Sequence, residues 1–292
     1  MPDVPAATPI ASRGYSNADV LVDCDWVARH LDDPKVRLLE INGTVESQSL
    51  GHIPGAIRLD WATDLNDPLT RDVAGVTQLE RLLRECGIDH DTIIVLHGDL
   101  HNAWACYGYW VLKLHGVGNL RLLDGGRERW IQEGRPLGGA PTSIPQGNIS
   151  LAPRDDVAMR AFRDQVVERV ATGGALVDVR SPEEFRGEQK PDAAVAGAQR
   201  LGHIPGARNV PWTRVLEPDS HVFRDAASLR EMFEREQGLE PDGEVTVYCQ
   251  VGERSAHTWF VLTELLGWSK IRNYDGSWTE WGNTVRTPIE RP

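Results

Sequence analysis

The hexapeptide GHIPGA stands twice in this 292-residue chain, at Gly51–Ala56 and Gly202–Ala207, letter for letter and 151 positions apart. The same spacing relates Trp61 to Trp212, Asp124-Gly125 to Asp275-Gly276, and Trp130 to Trp281. Solenoid repeats recur every ~20–50 residues, so a period this long means a duplicated domain. Upstream, LLEI at Leu38–Ile41 matches LVDV at Leu176–Val179 with a spacing of only 138, so the second copy carries 13 extra residues. The polar run GEQKPDAAVAGAQR before Leu201 is where that insertion is expected.

Each copy alternates short β-rich runs with helical stretches. VRLLEI, AIRL, TIIVLH and LRLL are strand candidates in the first copy, and ALVDV, ARNV, EVTVY and KIRNY in the second. Helix candidates are AWACYGYWVLKL and the Leu79–Leu83 stretch, then MRAFRDQVVERV, LREMFEREQ and SAHTWFVLTELLG. Nearly continuous apolar strands separated by helices predict α/β domains with mainly parallel sheets. The stretch LGGAPTSIPQGNISLAPRDDV has no periodicity and is expected to link the copies. The expected division is 15–138 for the first domain, 139–156 for the linker and 157–292 for the second domain. The residues up to Gly14 are expected to form a loose arm.

Composition narrows the function classes. With 31 Lys+Arg against 43 Asp+Glu the net charge is −12, which argues against a nucleic-acid or anionic-membrane partner. No basic-then-apolar leader is visible and no apolar run reaches the ~20 residues of a membrane helix, so a cytoplasmic protein is expected. The four cysteines, Cys24, Cys86, Cys106 and Cys249, form no CxxC pair, which leaves a zinc site or a disulfide framework unsupported. Cys24, Cys86 and Cys106 fall in or near helical patterns and are read as packing residues. His52 and His203, present in both GHIPGA copies, are read as turn braces.

Chemistry concentrates at EVTVYCQVGERSAHTWFVLTELLG. A strand ends at Tyr248, Cys249 follows, and a helix is expected to start near Ser255 or Ala256. The intervening Gln250, Val251, Gly252, Glu253 and Arg254 would wrap an anion with backbone N–H groups at a helix N-terminus. A thiol there is expected to fall below its ordinary pKa of about 8.5. Arg254 offers a guanidinium, Glu253 is expected to face solvent, and together they predict a positive pocket. Arg180, directly after ALVDV, sits at the end of another strand, where α/β sheets bind ligands. Asp178 precedes it on the same face of the strand, and both a structural ion pair and a substrate clamp are open to Arg180. In the first copy Gly98 stands at the position of Cys249, so that copy keeps the frame without the nucleophile.

The repeated GHIPGA, LVDVR at Leu176–Arg180, CQVGERSA at Cys249–Ala256 and YDGSW at Tyr274–Trp278 resemble the tandem-domain sulfurtransferases of the rhodanese family, from about Val20 onward. The resemblance implies two three-layer α/β/α domains, the first non-catalytic and the second catalytic. It implies Cys249 as a persulfide-forming nucleophile and Arg180 as a substrate-binding residue beside Gln250–Arg254. The small anionic donor implied is thiosulfate; the acceptor is cyanide or a thiol, including a protein thiol; no cofactor and no metal is needed. Thiosulfate users often place basic residues directly after the cysteine and mercaptopyruvate users small neutral ones. Gln250 and Val251 are neutral but not small, so 3-mercaptopyruvate stands as the alternative donor. Two further alternatives are a cysteine phosphatase-like enzyme, against the tight C-x4-R spacing of Cys249 to Arg254, and a non-catalytic sulfur-binding module.

Overall fold

A computed structural model describes residues 7–43, 51–139, 143–188 and 197–292. The chain forms two compact units that are not contiguous in sequence. One holds Ala18–Asp155, the described residues up to Ser12, and Leu216–Phe223; the other holds Arg13–Asn17, Asp156–Val215 and Arg224–Pro292.

The first unit is built on a five-stranded parallel sheet of order β1-β5-β4-β2-β3. Its strands are β1 (Leu21–Val22), β2 (Val36–Asn42), β3 (Ile57–Asp60), β4 (Ile93–Gly98) and β5 (Leu120–Leu123). The second is built on a four-stranded parallel sheet of order β7-β6-β8-β9. It comprises β6 (Ala175–Asp178), β7 (Arg208–Asn209), β8 (Val245–Tyr248) and β9 (Ile271–Asn273). The sequence-predicted strand runs account for every strand longer than two residues. Their unbroken apolar character follows from burial on both faces beneath crossover helices.

The repeated residues are core residues. Ile53, Ala56 and Trp130 share one cluster, and Ile204 and Trp281 occupy a corresponding one with Tyr248, Tyr274 and Trp278. Each indole N–H donates to a nearby proline carbonyl, Trp130 to Pro136 at 2.9 Å and Trp281 to Pro288 at 2.8 Å. Each GHIPGA histidine pairs antiparallel with a segment late in its own unit, His52 with Gly138 and His203 with Glu290.

Three expectations change. MRAFRDQVVERV splits into helices Asp156–Met159 and Arg163–Thr172, because Arg160 bridges in parallel to Asn273 and forks onto Asp275 at 2.9 and 2.8 Å. LREMFEREQ changes pitch, from an α-helix at Ala226–Arg230 to a π-helix at Glu231–Glu236. The segment before Gly14 is no loose arm where it is described: Ile10–Ser12 form a 3-10 turn, and the buried Arg13 accepts the Ala226 N–H at 2.8 Å through its carbonyl. The expected insertion lies mostly outside the described residues. Residues 143–155 carry neither helix nor strand, and Arg84 fastens them by donating to the Ile149 carbonyl at 2.8 Å. Among the described residues no helix is long and apolar enough to cross a membrane.

Candidate active site

In the second sheet the chain steps from β6 outward to β7 and returns on the opposite side of β6 to β8. The carboxyl ends of β6 and β8 therefore bracket the topological switch point, where a crevice opens in sheets of this kind. Arg180 follows one of those ends and Cys249 the other. Cys249 is fully buried, and its N–H donates to Ser277 Oγ at 3.0 Å. Ser277 in turn donates to the Tyr274 carbonyl at 2.7 Å, fixing the turn against β9.

The loop closes through Gly252, whose φ of 107° lies in the region that favours glycine. A Cβ there would stand 2.9 Å from Asp275 Cα. This turn aims the Gly252 N–H at Cys249 Sγ, 3.1 Å away. Asn273 holds the turn from behind, donating to the Gly252 carbonyl at 3.1 Å while its own Oδ1 lies 2.7 Å from Ser255 Oγ.

The helix then starts at Glu253, two residues earlier than expected. That shift corrects the reading of Glu253 as a solvent-facing residue. Placed in the first helical turn, it is 3% exposed and its Oε2 lies 3.5 Å from Cys249 Sγ. Its other oxygen is 3.5 Å from Arg254 Nε. Arg254 points back into the protein, where Glu184 takes it in a two-bond fork of 2.9 and 3.2 Å. The triad Glu184–Arg254–Glu253 carries two negative charges against one positive, so the side chains do not make the positive pocket expected from sequence. Positive potential at the sulfur comes from the loop amides and the helix N-terminus.

The surroundings raise the Cys249 thiol rather than lower it, which reverses a second expectation. Burial pushes Cys249 up, Glu253 pushes it further, and Arg254 with the Ser255 hydroxyl and amide only partly counter them. Burial opposes the charge of Arg254, but Cys249, Glu184 and Glu253 outweigh it and raise the guanidinium further.

Arg180 is 1% exposed and committed to protein partners. It donates to Asp178 at 2.6–3.2 Å and to the Gly202 carbonyl at 2.8 Å, and it stacks over Trp278 with 4.6 Å to the ring centroid. Of the two openings left by the sequence, this geometry is that of the ion pair. Gln250 donates to Thr279 Oγ1 at 3.1 Å, and Val251 is buried.

Sequence reasoning missed Glu184 and Ser277, and it read GHIPGA as a turn brace without its reach to the cysteine loop. Glu184 had a local signal: SPEE directly after LVDVR is a capping box, realised here with Ser181 and Glu184 bonding each other's backbones. His203 stacks on Phe185 at 3.6 Å, and the Ile204 N–H donates to the Tyr248 hydroxyl at 3.1 Å. The repeated motif therefore steadies both the helix that carries Glu184 and the strand end that carries Cys249.

The first unit holds the same frame in a filled form. Gly98 ends β4, and a Cβ there would meet the Ile41 carbonyl oxygen at 2.2 Å. Leu100, His101 and Asn102 all have positive φ, and Asn102 folds inward to accept the Gly98 N–H at 3.1 Å. His221 stacks on His101 with centroids 4.1 Å apart, and Asp124 accepts the Phe223 N–H at 2.9 Å. Asp99 bonds Arg127. Where the Cys249 N–H is capped by Ser277 in the second unit, the Gly98 N–H is capped by Asn102 in the first.

The rhodanese-like domain profile matches this chain twice, at residues 23–133 and 162–284. The chain is 47% identical over 284 residues to the sulfur carrier protein TtuD of Thermus thermophilus, covering 95% of this chain and 99% of that protein. It is 44% identical, over 94% of its length and 99% of the relative's, to a Mycolicibacterium smegmatis protein provisionally named a thiosulfate sulfurtransferase. Among solved structures, the Escherichia coli 3-mercaptopyruvate sulfotransferase SseA superposes with a TM-score of 0.73 at 25% identity, over 89% of this chain and 99% of that one. Two matched domains, parallel sheets in each and a strand-to-helix cysteine loop in the second agree: the chain belongs to the rhodanese family of sulfurtransferases, with its domain present in tandem.

Proposed function

We propose that this chain is a thiosulfate sulfurtransferase that carries sulfur as a persulfide on Cys249. The observation that supports this most is the buried Cys249 sulfur receiving the Gly252 N–H at 3.1 Å, at the N-terminus of a helix and at the switch point of the sheet. Cys249 attacks the outer sulfur of thiosulfate, the donor's S–S bond breaks, and sulfite leaves with the electron pair. A nucleophilic acceptor, cyanide or a low-molecular-weight or protein thiol, then takes the outer sulfur and releases Cys249. The loop Gln250–Arg254 holds the persulfide's charge with backbone amides, and the enclosed site strengthens those bonds.

The donor 3-mercaptopyruvate is the second reading, favoured by the net negative Glu184–Arg254–Glu253 triad and the neutral Gln250 and Val251. A monoanionic donor meets less repulsion there than a dianionic one. A phosphatase reading is disfavoured because Glu253 would face the phosphoryl oxygens at close range. Intact mass spectrometry after incubation with either donor tests the proposal. One added sulfur mass is expected on the wild type and none on Cys249→Ser. Turnover with thiosulfate should exceed that with 3-mercaptopyruvate; the reverse ranking transfers the assignment to the second reading. Absence of any adduct with both donors removes the persulfide mechanism.

A further inference from the structure

A buried carboxylate 3.5 Å from a buried thiol has two possible effects on sulfur transfer, and they have opposite signs. As a bystander charge it would oppose thiolate formation. As a proton acceptor it would permit it, because the pair then keeps one negative charge throughout instead of acquiring a second.

The arrangement around Glu253 is that of a held base. One oxygen faces Sγ and the other faces Arg254 Nε at 3.5 Å, so the carboxylate is oriented by a cation on its far side. Arg254 is fixed by Glu184, and Glu184 accepts the Ser181 N–H at 3.0 Å. The other charged groups around the loop are paired away from the sulfur. Asp275, on the turn after β9, is forked by Arg160, and Asp178, at the end of β6, by Arg180. Ser277 gives its hydroxyl to the Tyr274 carbonyl. Glu253 is the carboxylate in contact with the reacting atom.

Resting on the persulfide reading above, we propose that Glu253 is a catalytic residue that takes the Cys249 proton when sulfur is loaded and returns it when sulfur is passed on. In the loading step the S–H proton moves to Glu253, and the sulfur lone pair forms the new S–S bond to the donor's outer sulfur. The old S–S bond breaks with its pair on sulfite. In the unloading step the acceptor's lone pair bonds the outer sulfur, the Cys249 S–S bond breaks with its pair on Sγ, and Sγ recovers its proton from Glu253. No oxidant, metal or further reactant enters.

Rapid-quench mass spectrometry of single-turnover persulfide formation, across pH, separates the two effects in wild type, E253Q and E253D. Thiol ionisation is followed in parallel by thiolate ultraviolet absorbance. In E253Q the thiol is expected to ionise at lower pH, yet loading at pH 7 falls about 10²-fold, the usual scale of general-base catalysis. It recovers towards the wild-type rate once the pH exceeds the variant's own thiol pKa. E253D, with the carboxylate one methylene shorter, keeps the wild-type pH profile at an intermediate rate. An E253Q that loads at pH 7 as fast as wild type, or faster, overturns the proposal, as does an E253D profile matching that of E253Q. Wild type that acquires no sulfur at any pH would instead overturn the persulfide reading itself.

Discussion

Arg180 folds back onto Asp178, two residues earlier in the chain, with Nε at 3.0 and 3.2 Å and Nη2 at 2.6 Å from its carboxylate. In the first unit the matching strand positions hold Glu40 and Asn42, and the guanidinium near Glu40 comes from Arg127, 3.9 Å away on the helix after β5. A buried acid with an arginine beside it persists even though the arginine has moved to another element. That pattern is a brace on the strand end.

Arg180→Ala should therefore act on stability, since it strands a buried carboxylate. Losses of about 3–5 kcal/mol accompany removal of one partner from a buried pair. Urea denaturation checks this, and a double variant Asp178→Asn/Arg180→Gln should regain part of the loss. The KM for thiosulfate of the folded fraction should stay within about twofold of wild type, since 1.4 kcal/mol of binding energy corresponds to a tenfold change. An elevated KM at unchanged stability would return Arg180 to the substrate.

Gly252→Ala should disable the loop while leaving the rest of the second unit folded. The φ of 107° and the 2.9 Å approach of a Cβ to Asp275 Cα both resist a side chain. Strain of this kind costs about 1–3 kcal/mol, released here by moving the Gly252 N–H away from Sγ. Persulfide loading should drop more than about tenfold, with circular dichroism unchanged.

Gly98→Cys should not create a second sulfur site. A Cβ 2.2 Å from the Ile41 carbonyl oxygen cannot be accommodated without moving β2 or β4. The variant, made on a Cys249→Ser background, should gain no sulfur mass from thiosulfate and should melt below its parent. An adduct at position 98 would mean that the first unit opens more readily than its packing indicates.

His97 stands at the first-unit position matching Tyr248, and neither ring nitrogen has a hydrogen-bond partner. Burial holds it down to about 4, with Arg127 and His52 acting the same way and Glu40 opposing. The unfolded chain, with histidine near its ordinary value of about 6.5, binds more protons between those limits. Stability should therefore be full above pH 6.5 and fall by up to about 3 kcal/mol as the pH drops towards 4. His97→Gln should flatten that limb of a denaturation-versus-pH curve; an unaltered limb would place the titration elsewhere.

The fold was legible because its signals are local and repeated. Short, β-branched apolar runs such as TIIVLH and EVTVY favour buried strands, and identical hexapeptides 151 positions apart mark equivalent cores. The position of Cys249 between strand and helix was legible for the same reason. The charge state of its surroundings was not. Two residues of helix start decide whether Glu253 meets water or sulfur, and only the backbone angle at Gly252 sets that start. Glu184 lies 70 positions from Arg254, so their fork is invisible to any reading of neighbours. The geometry at Arg180 likewise depended on how the side chain folds back, which spacing alone leaves open.

The repeat boundary in the sequence is not the boundary of the compact units, and this bears on how the protein can be taken apart. The second unit keeps Arg13–Asn17, whose Ser16 N–H donates to the Leu265 carbonyl at 2.7 Å and whose Tyr15 hydroxyl donates to the Arg224 carbonyl at 2.8 Å. The first unit keeps Leu216–Phe223, which brings His221 onto His101. A protease cut in the connecting stretch would thus yield two fragments, each missing a piece lodged in the other. Each copy in the sequence therefore depends on a stretch of the other to complete its own compact unit.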